Sequence, residues 1–401
     1  MTSVPRLLIT GAAGKTGAAT VHALRGRRDV HVRALVRRDD SRTEALRQAG
    51  AEVVLGTLDD IRDLRSAMKD VQRAYFLAPF GLNSLDQGLN FAIAASEARL
   101  EHITVLGQWL SSASHPAVAT RRTWLTDHFM RWIPDVDSTL INVGWFADNT
   151  MPLLGIASQL GIFPFALGDG KSAPISNEDI GRVVAGVMTD PAPYVGRTLR
   201  PTGPELIHPT QMAEAYGVAL GRRVRYQPIS TRMFAKALRA LGLVPPLLQT
   251  QLLLYVRDYE EGAFEAGGVT EVVERITGSR AEDFETITRR YVAADPFTRR
   301  SFGNTLRALA QMTRIALTPA PSSPRIEASY GWPRLNNPVP SLDDGAWAKT
   351  HDLEAAFGLP APAEAGSSRS SAKVRSHLNP IRLSDQYRSG GGPGERGLLP
   401  D

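Results

Sequence analysis

The most constraining feature of the chain is a glycine-spaced turn between a strand and a helix. Residues 6–10 (RLLIT) form a short apolar run, and Gly11-Ala12-Ala13-Gly14-Lys15-Thr16-Gly17 follows at once. Helical spacing then begins, with Val21 and Leu24 on one face. In that context each glycine has a task. Gly11 permits the tight turn out of the strand, Gly14 leaves room for a pyrophosphate against the backbone, and Gly17 lets the helix pack closely on the sheet. Free amides at the helix start, with the macrodipole, then hold the phosphates. The bland alternative is a strand–helix turn with no ligand, but three glycines at this spacing have few other uses. The turn is no Walker loop: Gly14-Lys15-Thr16 matches the closing triplet, yet Ile9 stands where the opening glycine belongs.

Beyond the turn, strand-like segments at 29–37, 52–55, 73–78, 102–107 and 138–143 alternate with helical ones at 42–50, 58–69, 85–100 and 116–132. Such interleaving predicts the α/β class, a doubly wound parallel sheet (Rossmann) with helices on both faces. After Gly144 the pattern loosens. A helix is expected over 177–188, capped by Ser176 or Asn177. Short strands over 197–201 and 223–227 flank a helix over 210–220, and 231–312 reads as mostly helical. The expected organisation is a dinucleotide-binding domain over 1–150, a smaller, mostly helical substrate lobe over 151–318, and a Pro/Ser/Gly-rich extension over 319–401. The extension is expected to be disordered at least from 361, where GSSRSSA and SGGGPGERG cannot bury enough apolar area to offset ordering entropy.

Composition excludes several classes. The 46 Lys and Arg barely outnumber the 41 Asp and Glu, and no basic run is interleaved with aromatics, so nucleic acid is not an expected partner. With no cysteine, disulfides, thiolate metal sites and a Cys nucleophile are all absent. No His/Asp/Glu cluster has metal-ligand spacing, and there is no GxSxG elbow. No stretch approaches the ~18–20 apolar residues of a membrane span; the most apolar, 243–255, is broken by Pro245 and Pro246. The start lacks a signal-peptide pattern. The expectation is a cytoplasmic, soluble protein without a metal.

About 20 residues past the last glycine, an NAD-specific site offers an acid to the ribose 2′-hydroxyl. Here the second strand ends Val36-Arg37-Arg38. Arg37 suits a 2′-phosphate by charge and by its planar donor fork. Two solvated arginines are the alternative, and Asp39 and Asp40 follow within reach of a ribose. NADP (NADPH) is therefore expected in preference to NAD. Gly56-Thr57-Leu58-Asp59-Asp60, after the third strand, reads equally as an adenine border or as a helix start whose acids the dipole favours.

Taken together these residues resemble the atypical short-chain dehydrogenases that include the NmrA-like proteins. The resemblance rests on the glycine turn, on Leu35-Val36-Arg37 and on the Leu77-Ala78-Pro79 exit of the fourth strand. It continues through Gly144-Trp145-Phe146-Ala147-Asp148-Asn149 and Ile175-Ser176-Asn177-Glu178-Asp179-Ile180, covering roughly residues 5–230. It implies NAD(P) bound by Gly11, Ala13, Gly14, Lys15, Thr16, Gly17, Arg37, Leu77, Ala78, Pro79 and Gly144, with a smaller C-terminal substrate lobe. Members of the group divide into NADPH-dependent reductases of quinones, azo compounds or dyes, and non-catalytic regulators that sense the dinucleotide.

Typical short-chain dehydrogenases use Tyr-x-x-x-Lys. The helix at 116–132 has neither residue, and Thr123 stands where some relatives place Lys or His four positions before an acid, here Asp127. No catalytic residue is thus assigned; Thr123, Arg121 and His128 are the candidates, with His115 a further polar contact, each more readily structural. Substrate contacts are expected from Phe80, Gln108, Trp109, Trp145 and Phe146, just past strand C-termini, although the aromatics serve equally well as core. The leading reading is an NADPH-dependent oxidoreductase passing hydride to a conjugated small molecule, which needs little acid–base help. The alternative is a dinucleotide-sensing regulator acting through a protein partner. A sugar epimerase or dehydratase is the third option and lacks its tyrosine.

Overall fold

In the computed structural model, residues 4–242 and 244–351 are described. The extension expected to be disordered from 361 lies outside them. The first half runs β1 (Arg6–Ile9), α1 (Lys15–Ala23), β2 (His31–Val36), α2 (Ser41–Gln48), β3 (Glu52–Leu55), α3 (Ile61–Ala67), β4 (Arg73–Leu77), α4 (Ser84–Glu97), β5 (His102–Gln108), α5 (Val118–Arg131) and β6 (Asp137–Val143). The second half adds α6 (Leu154–Leu160), β7 (Ile162–Phe165), α7 (Asn177–Thr189), β8 (Thr198–Leu199), α8 (Pro209–Leu220) and β9 (Arg225–Pro228). The helices α9 (Thr231–Leu241), α10 (Pro246–Glu260), α11 (Val272–Thr277), α12 (Phe284–Ala294), α13 (Phe302–Leu317), α14 (Ser323–Ser329) and α15 (Gly345–Thr350) follow.

Seven strands form one parallel sheet in the order β3-β2-β1-β4-β5-β6-β8. The order reverses between β1 and β4, and it is at such a crevice, outside the strand C-termini, that doubly wound sheets bind ligands. Strands buried on both faces explain the near-continuous apolar runs: Leu7, Leu8 and Ile9 of β1 are all fully buried. One core layer joins Leu7, Ile9, Val21 and Ile180, and the opposite layer joins Leu8, Phe76, Phe91 and Met130. Helices therefore cover both faces, as the alternation predicts.

Residues beyond 150 take part in this sheet. β8 pairs with β6, and α7 packs along α1 so closely that a Cβ on Gly181 would lie 2.7 Å from the Ala19 Cβ. β7 and β9 make a separate two-stranded parallel sheet. The pair β7–β9 and the later helices enclose a second core of Phe163, Phe165, Tyr216, Tyr259 and Phe284. Eight of the fifteen described helices carry a side-chain cap, among them Asp40 for α2, Asp60 for α3, Ser176 for α7, Asp283 for α12 and Ser301 for α13. α1 is among the seven of the fifteen described helices without one: its N-cap is Gly14, and no side chain satisfies its first amides. Among the described residues no helix is long and apolar enough to cross a membrane.

Candidate functional site

The glycine turn has the geometry its sequence implies. Gly11 adopts φ +60°, a conformation that glycine enters without Cβ strain. The Gly14 amide donates to the Gly11 carbonyl at 2.8 Å, closing the turn, and Ala18 N–H is the first to reach back into it, to Gly14. The amides of Lys15, Thr16 and Gly17 have no backbone acceptor among the described residues. They point out of an uncapped helix end, where the macrodipole favours an anion. A Cβ at Gly17 would lie 2.8 Å from the Ala12 Cα, so that glycine is required by packing. At Gly14 the nearest atom to a Cβ is the Gly11 oxygen at 3.1 Å, and the space beyond is open. The donor set suits a diphosphate: free amides, no competing side chain, and a Cβ-free approach.

Lys15 does not lie free beside this cradle. Its ammonium is bonded to the Asp148 carboxylate, in the turn after β6, and Asp148 also accepts the Tyr291 hydroxyl from α12. Burial and the neighbouring Asp148 raise the Tyr291 pKa, so the phenol keeps its proton. Thr16 is buried and accepts from the Tyr75 hydroxyl at 3.4 Å.

At the end of β2 the acids that could bind a ribose are engaged. Asp39 takes two bonds from Arg47 (3.0 and 2.7 Å), and Asp40 caps α2 while binding Arg42. These arginines hold both carboxyls below the usual range, Asp40 at about 2. Arg37 and Arg38 are exposed, and among the described residues neither forms an ion pair. The charge left uncommitted at this position is positive, which suits a 2′-phosphate. In the loop after β3, Asp60 caps α3, while Asp59 accepts from the Gln87 amide of α4 at 2.8 Å.

The C-terminal ends of β4 and β5 meet a polar group that sequence reasoning found only in part. Gln108 donates to the Thr123 hydroxyl at 2.9 Å. Thr120, one turn earlier on α5, donates to the Tyr255 hydroxyl at 3.1 Å. Tyr255 comes from α10 and stands edge-on to Phe80, ring centroids 6.4 Å apart. Burial raises its pKa to about 12. Tyr255 thus places a neutral phenol against α5, the helix that lacks the usual tyrosine. No local signal marks it, since its partners are 135 positions away in the chain. Phe80 is 56% exposed, and Leu77, Ala78 and Pro79 line the same exit from β4.

Several expectations need correction. Trp109 and Trp145 are 1% and 6% exposed and belong to the aromatic core, not to an open substrate wall. The Trp109 indole donates to the Ala263 carbonyl, and Trp145 packs edge-on against Tyr259 and Phe264. Phe146 is half-buried against the α1–α7 layer, and among the described residues a Cβ on Gly144 would meet just the Phe264 ring, at 3.9 Å. Arg121 is consumed by the carbonyls of His115, Pro116 and Pro333. His128 bonds the Trp124 carbonyl and stacks on its ring. His115 is buried between Asp258 and the Ala117 amide. Arg121, His128 and His115 therefore hold structure, and of the candidates Thr123 alone joins the Gln108–Thr120–Tyr255 group among the described residues. Asp127, one turn further along α5, is buried and bonded to Ser111, with burial raising its carboxyl to about 7.

Comparisons with known proteins bear on the fold and on the class of relatives. The model of the NmrA-like family matches residues 4–107. An NAD(P)H azoreductase of Xenophilus azovorans is 26% identical over 298 residues, covering 72% of this chain and 98% of that protein. Quinone oxidoreductase 2 of Escherichia coli is 25% identical over 238 residues, 59% of this chain and 82% of its own length. Among solved structures, the E. coli NADPH-dependent quinone oxidoreductase complexed with NADPH superposes with a TM-score of 0.63 at 23% identity, over 71% of this chain and 99% of its own. The negative transcriptional regulator NmrA in complex with NADP gives 0.57 at 18% identity, over 72% and 95%. The last two likenesses establish the shared fold.

Proposed function

We propose that this chain, which belongs to the NmrA-like family through residues 4–107, is an NADPH-dependent oxidoreductase that passes hydride to a conjugated small molecule such as a quinone or an azo compound. One observation carries the reading. The uncapped start of α1 and the Gln108–Thr120–Tyr255 group lie two strands apart on the same C-terminal edge of the sheet. The names of the relatives, an azoreductase and a quinone oxidoreductase, support the same class of acceptor.

In this reading the amides of Lys15, Thr16 and Gly17 hold the diphosphate and Arg37 the 2′-phosphate. When bound, a reduced nicotinamide supplies a hydride. A quinone that accepted it would become the hydroquinone by taking up one proton from bulk water as the product leaves. The chain aligns the acceptor and excludes water, with Phe80, Gln108 and Tyr255 as its border. Without Tyr-x-x-x-Lys, α5 lacks the acid pair that short-chain dehydrogenases use for ketone reduction. Loss of NADPH absorbance with a panel of quinones and azo dyes is the test. Turnover is expected with quinones and not with simple ketones, and Tyr255→Phe should raise KM more than it lowers kcat. No oxidation of NADPH across the whole panel overturns the reading.

A second reading, the dinucleotide-sensing regulator with a protein partner, is favoured by the Lys15–Asp148–Tyr291 connection from the glycine turn to α12. It requires NADP and NADPH to bind with different affinities, and equal affinities by calorimetry remove it.

A further inference from the structure

Arg200 follows β8, so it stands at the C-terminal edge of the sheet beside the ends of β5 and β6. It is 1% exposed. Its guanidinium lies over the Trp109 ring, 3.6 Å from the centroid. Only Nη2 finds an acceptor, the Phe264 carbonyl at 3.3 Å, while Nε and Nη1 are enclosed with none. Burial alone governs its ionisation, with no acid offsetting it. The other buried arginines are treated differently. Arg33 is held by both Glu52 oxygens and the carbonyls of Ala67 and Lys69, and Arg121 by three carbonyls. A buried cation with two empty donors is unfavourable unless something else completes it.

A late segment of the chain packs against the same Trp109 indole, and its His351 lies near enough to Arg200 to feel that charge. Residues 339–351 are stitched to the loop after β5. Val339 N–H donates to Ser114 O at 2.9 Å, the Ser341 hydroxyl to Leu110 O at 2.8 Å, and the Trp347 indole to Trp109 O at 2.9 Å. Ser112 and Ser114 both donate to Asp344. Trp347 and His351 stack on each other, centroids 4.6 Å apart, and each meets the Trp109 ring edge-on. Two flat rings thus fill the space beside the indole that carries Arg200 on its face. The attachments are hydrogen bonds between small polar groups and a pair of rings, a set that can part without unfolding the sheet.

We propose that Arg200 anchors an oxyanion subsite that takes the carboxylate or sulfonate of a flat aromatic ligand, and that residues 339–351 are the plug that lifts to admit it. The planar fork of Arg200 matches a two-oxygen anion, and the ligand's ring replaces Trp347 and His351 against Trp109. Assigning that ligand as the hydride acceptor rests on the proposed reductase; the binding of the anion does not.

The test is a calorimetric titration of the full chain, without cofactor, with 2-naphthalenesulfonate and with its neutral counterpart 2-naphthol. The sulfonate is expected to bind about tenfold or more tighter. Arg200→Met, which keeps the stem volume, should abolish that preference without lowering Tm, and Trp347→Ala should strengthen sulfonate binding by opening the plug. Equal affinities in the parent chain overturn the proposal, as does a preference that survives Arg200→Met. If Arg200→Met fails to fold, the Trp347→Ala chain decides, and no sulfonate preference there overturns it. If the parent binds neither probe, the same variant decides in the same way. Quinone turnover without sulfonate preference would sink this inference and leave the reductase reading standing; sulfonate preference without turnover does the reverse.

Discussion

The Lys15 ammonium is bonded to the Asp148 carboxylate across 133 positions of the chain, joining the first residue of α1 to the turn after β6. Because Asp148 also receives the Tyr291 hydroxyl, one carboxylate ties the start of α1 to α12. In the proposed reading an arriving diphosphate would compete with Asp148 for Lys15. Asp148→Asn is therefore expected to tighten NADPH binding about threefold to tenfold, and Lys15→Ala to weaken it by a similar factor. Quenching or enhancement of NADPH fluorescence measures both, and unchanged affinity in the pair would remove Lys15 from the phosphate site.

The glycines of the turn should separate stability from affinity. Gly14 has ordinary backbone angles and open space beyond a 3.1 Å contact, so Gly14→Ala should change stability by under about 1 kcal/mol. Its methyl would occupy the approach of the diphosphate, and dinucleotide affinity should fall about tenfold or more. Gly17→Ala instead drives a methyl into the Ala12 backbone and should destabilise the fold by about 1–3 kcal/mol. Chemical denaturation paired with calorimetry distinguishes the two, and loss of stability at Gly14 with affinity intact would show the cradle to be structural.

Arg37→Ala should weaken NADP and NADPH by about tenfold and leave NAD and NADH within about twofold. The reason lies in the neighbouring acids: Asp39 and Asp40 are committed to Arg47 and Arg42 and do not turn toward a ribose. Four-way calorimetry with the parent and the variant checks this. A uniform loss across all four dinucleotides would contradict it.

Two buried groups should give the protein opposing pH responses. The Thr139 hydroxyl donates to Tyr194 O, so His102 donates to Thr139 through Nε2 and its Nδ1 is enclosed without a partner. Burial, with the nearby Arg73 charge, holds His102 down to about 4. The unfolded chain takes this proton first, near 6.5, so the stability concerned is present above that pH and is lost as pH falls toward 4. Asp127 works the other way. Burial raises it to about 7, the folded chain keeps its proton longer, and stability is lost as pH rises from about 4 to 7. Asp127→Asn should leave the histidine slope alone. Its stability should fall more steeply on acidification than the parent's and exceed the parent's at neutral pH, by on the order of 1–3 kcal/mol. Urea unfolding across about pH 4.5–7.5 reads this directly; parallel curves for the two chains would show that Asp127 is not protonated in the fold.

The sheet was legible because its strands are bounded by breakers. Residues 52–55 stand between Gly50 and Gly56 and form β3 over the same span. The capped helices were legible for the same local reason, as Ser176 before α7 illustrates. β7 was not, because Pro164 sits in its middle and removes a ladder donor. The candidate site was legible where backbone makes it, at Gly11 to Gly17, and obscure where distant side chains do. The positions of Trp109 and Trp145 past strand ends were read correctly, but their burial depends on Ala263, Tyr259, Phe264 and Trp347, which no short-range pattern brings near. Tyr255 and Arg200 escaped notice for that reason.

The tight seam between α1 and α7 has a bearing on how this molecule can be taken apart. Gly181 lies against Ala19, and Val183, Val184 and Val187 are enclosed in the layer that also holds Val21. A fragment cut near residue 150 would strip that flank bare and leave a greasy stripe prone to self-association. The dinucleotide half is thus no freestanding cassette for transplantation into other scaffolds: the later residues are its missing wall.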